Sequence, residues 1–103
     1  MARVFPPMLL ASLRALPLRR ALECLGYHVA VDLSFVPEKD PRSERWVVTG
    51  VGGTSEVLVT GVKWFDMRAQ VGGGGAIDLV MQVEHLSFVA AVRRLERALH
   101  MIG

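Results

Sequence analysis

The chain has 103 residues, 51% of them apolar, which limits it to one domain with a single modest core. Its 12 Lys and Arg against 10 Asp and Glu leave a net charge of +2, too small to announce a nucleic-acid partner unless the charges cluster. No apolar run reaches the roughly 18 residues a membrane span needs, and the lone Cys24 excludes an internal disulfide framework and points to a reducing, cytoplasmic compartment.

Residues 1–22 carry Arg3, Arg14, Arg19 and Arg20 and no acid before Glu23. Organellar transit peptides share that pattern, yet the apolar stretch from Met8 to Leu13 is short for a signal core of roughly 7 to 15 residues. A folded helix is the plainer reading. Pro6-Pro7 and Pro17 bracket the stretch from Met8 to Leu16, so residues 1–16 are expected to form an arm or short helix ahead of a single domain, 17–103. Leu18, Ala21, Leu22 and Leu25 recur at i, i+3, i+4 and i+7, with Pro17 suited to a helix start and Gly26 to its stop. Tyr27 to Phe35 alternates and is rich in Val, which predicts a strand, and the prolines and charges from Pro37 to Glu44 predict a loop.

Arg45 to Val51 reads as a second strand, Gly52 to Ser55 as a turn, and Glu56 to Thr60 as a third strand. Gly61 then interrupts, with Val62 to Met67 continuing past a bulge or forming a fourth strand. The glycine run Gly72 to Gly75 reads as a turn, with positive φ expected at Gly73 or Gly74. Helices are predicted over Ile77 to His85 and Phe88 to Ile102. The second has Ser87 as its N-cap and Phe88, Val92, Leu95, Leu99 and Ile102 on one stripe. The fold class expected is α+β: a small antiparallel sheet of three or four strands with an N-terminal helix and two C-terminal helices packed on it. A mean hydropathy of +0.36 implies apolar surface left for a partner or a second copy.

No catalytic constellation stands out. His28, His85 and His100 are scattered, Cys24 has no evident partner, and Glu56, Asp66, Asp78 and Glu84 do not make the acidic cluster of a two-metal centre. The chain is therefore expected to be no enzyme and to hold no metal or other cofactor. Binding groups are easier to nominate. Gly73, Gly74 and Gly75 ahead of a helix suit a structural turn or a backbone phosphate contact. Arg93, Arg97 and His100, with Arg94 beside them, form a basic stripe on the last helix, which is either solvated or a phosphate track. Lys63, Trp64 and Arg68 offer cations and an aromatic face on or beside the sheet, the combination that holds unpaired bases. Trp46 and Phe65 fit either that surface or the core.

One stretch of the chain resembles a known family. Glu38-Lys39-Asp40-Pro41, then Gly73-Gly74-Gly75-Ala76-Ile77, then Ser87-Phe88 with Ala91, Val92 and Leu95 are similar in order to the zinc-binding domain of bacterial and plasmid primases, over roughly residues 17–99. The resemblance implies a zinc-ribbon-like sheet, but its four metal positions fall on Leu33, Val36, Met67 and Gln70. None is a zinc ligand, so the chain reads as a zinc-free form in which Leu33, Val36 and Met67 substitute apolar contacts for metal bonds. The function implied is a non-catalytic accessory module that binds single-stranded DNA beside a primase or other replication protein, in plasmid or mobile-element replication. The alternative is a protein-interaction module, self-associating or bound to a replication protein, that touches no DNA. No membrane role is expected.

Overall fold

Two short helices, a five-stranded meander and two further helices follow one another in the computed structural model, which describes the backbone of residues 5–102 and the side chains of residues 5–99. Arg3 and the side chains of His100 and Ile102 lie outside the described residues. The elements are α1 (Pro7–Arg14), α2 (Leu18–Cys24), β1 (His28–Val31), β2 (Glu44–Gly50), β3 (Gly53–Thr60), β4 (Lys63–Asp66), β5 (Val71–Gly74), α3 (Gly75–Glu84) and α4 (Phe88–Ile102). All strands pair antiparallel with their sequence neighbours, in the order β1-β2-β3-β4-β5. The architecture is α+β, with one more strand than the sequence predicts.

The helical pattern holds where its period is regular. Leu18, Ala21, Leu22 and Leu25 are buried, and Gly26 at φ +88° stops α2. Ser87 caps α4, its Oγ accepting from the Ala90 N–H at 3.2 Å, and Val92 and Leu95 are fully buried. The segment 1–16 contains helix α1, whose Leu13 enters the core. Between α3 and α4, His85 adopts the left-handed conformation that ends a helix.

Alternation then sorts the sheet into two faces. Register aligns Val31, Trp46, Val57 and Asp66 in one row and Val59 with Trp64 in another. These point inward, and Trp46, Val57, Val59 and Trp64 are buried with Ile77, Leu79 and Val80 of α3. Helix α4 packs on α2 and α3 rather than on the sheet. Arg45, Leu58 and Phe65 form the opposite row, on a face that no helix covers.

Three strand expectations need correction. The third strand begins at Gly53 rather than Glu56, so Gly53, Thr54 and Ser55 pair with β2 and the turn is only Val51-Gly52. The first strand ends at Val31, not Phe35, because Asp32 Oδ1 accepts from both the N–H and the hydroxyl of Ser34, at 3.0 and 2.6 Å, and so turns the chain. Gly73 and Gly74 belong to strand β5 rather than to a turn. Positive φ falls at Gly75 (+82°), where the chain leaves the sheet and enters α3. The turn before β5 is made instead by Asp66, buried yet satisfied: Oδ1 accepts from the N–H groups of Arg68 and Ala69, and Oδ2 from Gln82 Nε2.

Candidate interaction surfaces

The uncovered sheet face combines a charged row with an apolar groove. Arg45 donates to Asp32 at 2.9 Å and also to Glu56, and Glu56 in turn receives Arg68 Nε at 3.4 Å. Four side chains from β1's end, β2, β3 and the β4–β5 turn are thereby linked across the sheet. Beside them the β1–β2 loop folds back over Leu58 and encloses a groove of about 340 Å³, walled by Phe35, Val36, Pro37 and Leu58 and rimmed by Glu38, Lys39 and Asp40. Ser43 Oγ and Thr60 Oγ1, 2.6 Å apart, tie the loop's end to β3. Asp40 is held by Arg42, whose guanidinium and backbone N–H both donate to it. The side-chain hydrogen bonds are the larger cause of a carboxyl pKa lowered to about 2.

The nominated nucleic-acid residues divide into three groups. Trp64 is buried, 5% exposed, with its indole over β5. It is not a stacking platform, because Lys63-Trp64-Phe65 alternate and Trp64 takes the inward side. Arg94 is a structural staple: Nε donates to Glu84 Oε1 at 3.1 Å and Nη2 to the Leu25 carbonyl at 3.3 Å. Glu84, 6% exposed at its side chain, also accepts from the Tyr27 hydroxyl, which accepts in turn from the Gly52 N–H at 2.9 Å. The network joins α4, α3, the end of α2 and the β2–β3 turn. Burial, the larger effect, together with the Glu84 charge raises the Tyr27 pKa above its ordinary value.

Lys63, Arg68, Arg93 and Arg97 are exposed. Lys63 stands in the outward set of β4, and Arg68 reaches Glu56 on that same face. Arg93 and Arg97 stand on α4, across the helical layer from the sheet. They make no ion pair among the described residues. The two cationic groups therefore lie on opposite sides of the domain.

The glycine run offers no phosphate cradle. The Gly75 N–H is used by the Val62 carbonyl at 2.8 Å, and the Gly74 N–H faces Asp78 Oδ2 at 3.4 Å. The positions equated with zinc ligands do not converge either. Leu33 and Val36 follow β1 and are 93% and 78% exposed, so they replace no metal with packing. Met67 and Gln70 sit in the β4–β5 turn, separated from β1 by β2 and β3. Among the described residues no group of His, Cys, Asp and Glu is arranged to hold a metal ion, and no single helix is long and apolar enough to cross a membrane.

Sequence reasoning missed Tyr27, Glu84 and Asp66 as organising residues. Tyr27 had a signal, an aromatic residue directly after the helix-stop glycine. Glu84 and Arg94, ten residues apart across a helix break, had none. No protein-family model, curated protein or solved structure matches this chain in comparison.

Proposed function

We propose that this domain is a non-catalytic protein-interaction module that engages a partner through the uncovered face of its sheet. The supporting observation is the row Leu58–Phe65 and its adjoining groove, which no helix covers and whose wall includes the exposed apolar side chain of Val36. An apolar centre with a charged rim, here Glu38, Lys39, Lys63 and Arg68, is the anatomy of a non-obligate protein interface. With its single cysteine the domain suits a reducing, cytoplasmic setting. A photo-crosslinking residue at Leu58, compared with one at Arg93, tests the reading in cells: protein adducts are expected at Leu58 and not at Arg93. Equal yields at both positions would overturn it.

A second reading, the accessory module for single-stranded DNA in primase-dependent replication, is favoured by one observation, the exposed cations Arg93 and Arg97 on α4, which form no ion pair among the described residues. It predicts binding of an oligothymidine strand that weakens steeply with salt, with a shallower salt dependence after Arg93→Glu and Arg97→Glu together. Absence of binding at low salt sinks it.

A further inference from the structure

The last strand of the sheet leaves a second recognition element, distinct from the open face. Strand β5 is an edge. Since the Gly75 N–H bonds the Val62 carbonyl, the alternation of an antiparallel ladder also directs the polar groups of Gly73 and Val71 to β4. Those of Gly72 and Gly74 point out of the sheet. The Gly74 N–H faces Asp78; the N–H and C=O of Gly72 meet no further strand among the described residues. Alongside runs a groove of about 290 Å³, bounded by Trp64, Val71 and Gly72 on the sheet side and by Asp78, Met81 and Leu86 on the α3 side.

Three features of the groove identify what fits it. The outward donor and acceptor of Gly72 match the backbone of an extended chain, which adds to a sheet edge by the same ladder. Trp64, nine-tenths buried, walls the groove, and its buried Nε1–H has no acceptor among the described residues, so a polar atom that reached it on binding would satisfy a donor otherwise costly to leave unpaired. Asp78 is the only charged residue lining the groove and forms no ion pair among the described residues. It receives the Gly74 N–H, while the next turns of α3 run toward Val71, since Gln82 reaches Asp66, the cross-strand partner of Val71, and Met81 and Leu86 line the groove with Gln82. In an added strand, the side chains opposite Val71 and Gly73 point to the α3 side and are two residues apart.

We propose that the β5–α3 groove binds an extended peptide segment as a sixth strand, with an apolar side chain against Met81 and Leu86 and a Lys or Arg two residues away at Asp78. This goes beyond the sheet-face reading and uses different residues. The charge complementarity at Asp78 favours a basic peptide over a second copy of β5, which has no cation in Val71–Gly74 to offer.

The test uses the full chain and capped five-residue peptides, Thr-Leu-Thr-Lys-Thr and its reverse-order counterpart Thr-Lys-Thr-Leu-Thr, followed by amide and indole NMR shifts. Saturable movement of the Gly72 amide and the Trp64 indole N–H is expected with at least one of them. The register control Thr-Leu-Lys-Thr-Thr, which puts Leu and Lys on opposite faces, should bind about tenfold more weakly, equivalent to about 1.4 kcal/mol. Asp78→Asn, which keeps an acceptor for the Gly74 N–H, should weaken binding of the best peptide and abolish its preference for Lys over Thr. Unmoved Gly72 and Trp64 signals with both peptides overturn the inference. Shifts confined to the Phe35 and Leu58 region also overturn it while leaving the sheet-face reading intact, and a dimer that already protects the Gly72 amide would replace the peptide with a second copy.

Discussion

The Trp64 indole occupies the space in which a side chain at Gly73 would stand: a Cβ there would lie 2.6 Å from Cζ2 and 2.9 Å from Cε2. The two residues are cross-strand partners, so the glycine is what allows a large aromatic side chain to lie over the edge strand. Gly73→Val should therefore destabilise by about 1 to 3 kcal/mol, the usual cost of overpacking. Gly74, extended at φ −143° with nothing near a built Cβ, should accept Ala with a change within about 0.5 kcal/mol. Denaturant unfolding followed by tryptophan fluorescence checks the contrast, and equal midpoints for the two variants would contradict the packing described.

Gly75 tests the backbone rather than the side-chain space. At φ +82° it lies where L-residues are strained, while a Cβ would meet the Arg14 carbonyl at 3.4 Å, an ordinary contact. Gly75→Ala should cost about 1 to 2 kcal/mol. Thermal melts with circular dichroism measure it; a melting temperature equal to that of Gly74→Ala would show that the junction tolerates another conformation.

Adjacent arginines on α4 should behave differently. Arg94→Ala removes the partner of a carboxylate that is 6% exposed and a donor to the Leu25 carbonyl, so a loss of about 2 kcal/mol is expected. The arginine itself is partly exposed, which keeps the loss below that for a fully buried pair. Arg93→Ala, on the solvent side, should change stability by less than about 0.5 kcal/mol. If the two variants unfold at the same denaturant concentration, the Glu84 network is not a staple.

Tyr27 is the only tyrosine in the chain, so its ionisation can be followed by tyrosinate absorbance. Burial first, and the Glu84 charge after it, raise its pKa above 10.0. The folded state then holds the phenolic proton more tightly than the unfolded chain. The resulting stabilisation is fully present below pH 10 and is lost as pH rises through the folded pKa. The native protein should titrate at higher pH than the denatured chain, and Glu84→Gln should move the native midpoint downward. Coincident native and denatured curves would refute the burial and charge assigned to this hydroxyl.

The sequence by itself determined what depends on neighbours a few residues away. The apolar period of α2, the Gly26 stop, the Ser87 cap and the buried stripe of α4 are local properties, since a helix places i, i+3, i+4 and i+7 on one face whatever surrounds it. The β-branched runs around Trp46 and Val57 likewise announced strands.

Tertiary structure decided everything that required knowing which face is covered and what lies across from it. Trp64 and Phe65 are adjacent and must point to opposite sides of β4, but only the position of α3 makes Trp64 the buried one and removes it from the open face of the sheet. Glycine has no side chain to announce a strand, so β5 became one through its pairing with β4 and the indole laid over Gly73. Arg94 stands beside the basic stripe of Arg93 and Arg97, and only the reversal at His85, which brings Glu84 next to it, makes it a staple rather than a further surface cation. Those outcomes are set by packing between segments distant in the chain, a contact that no local pattern of residues specifies.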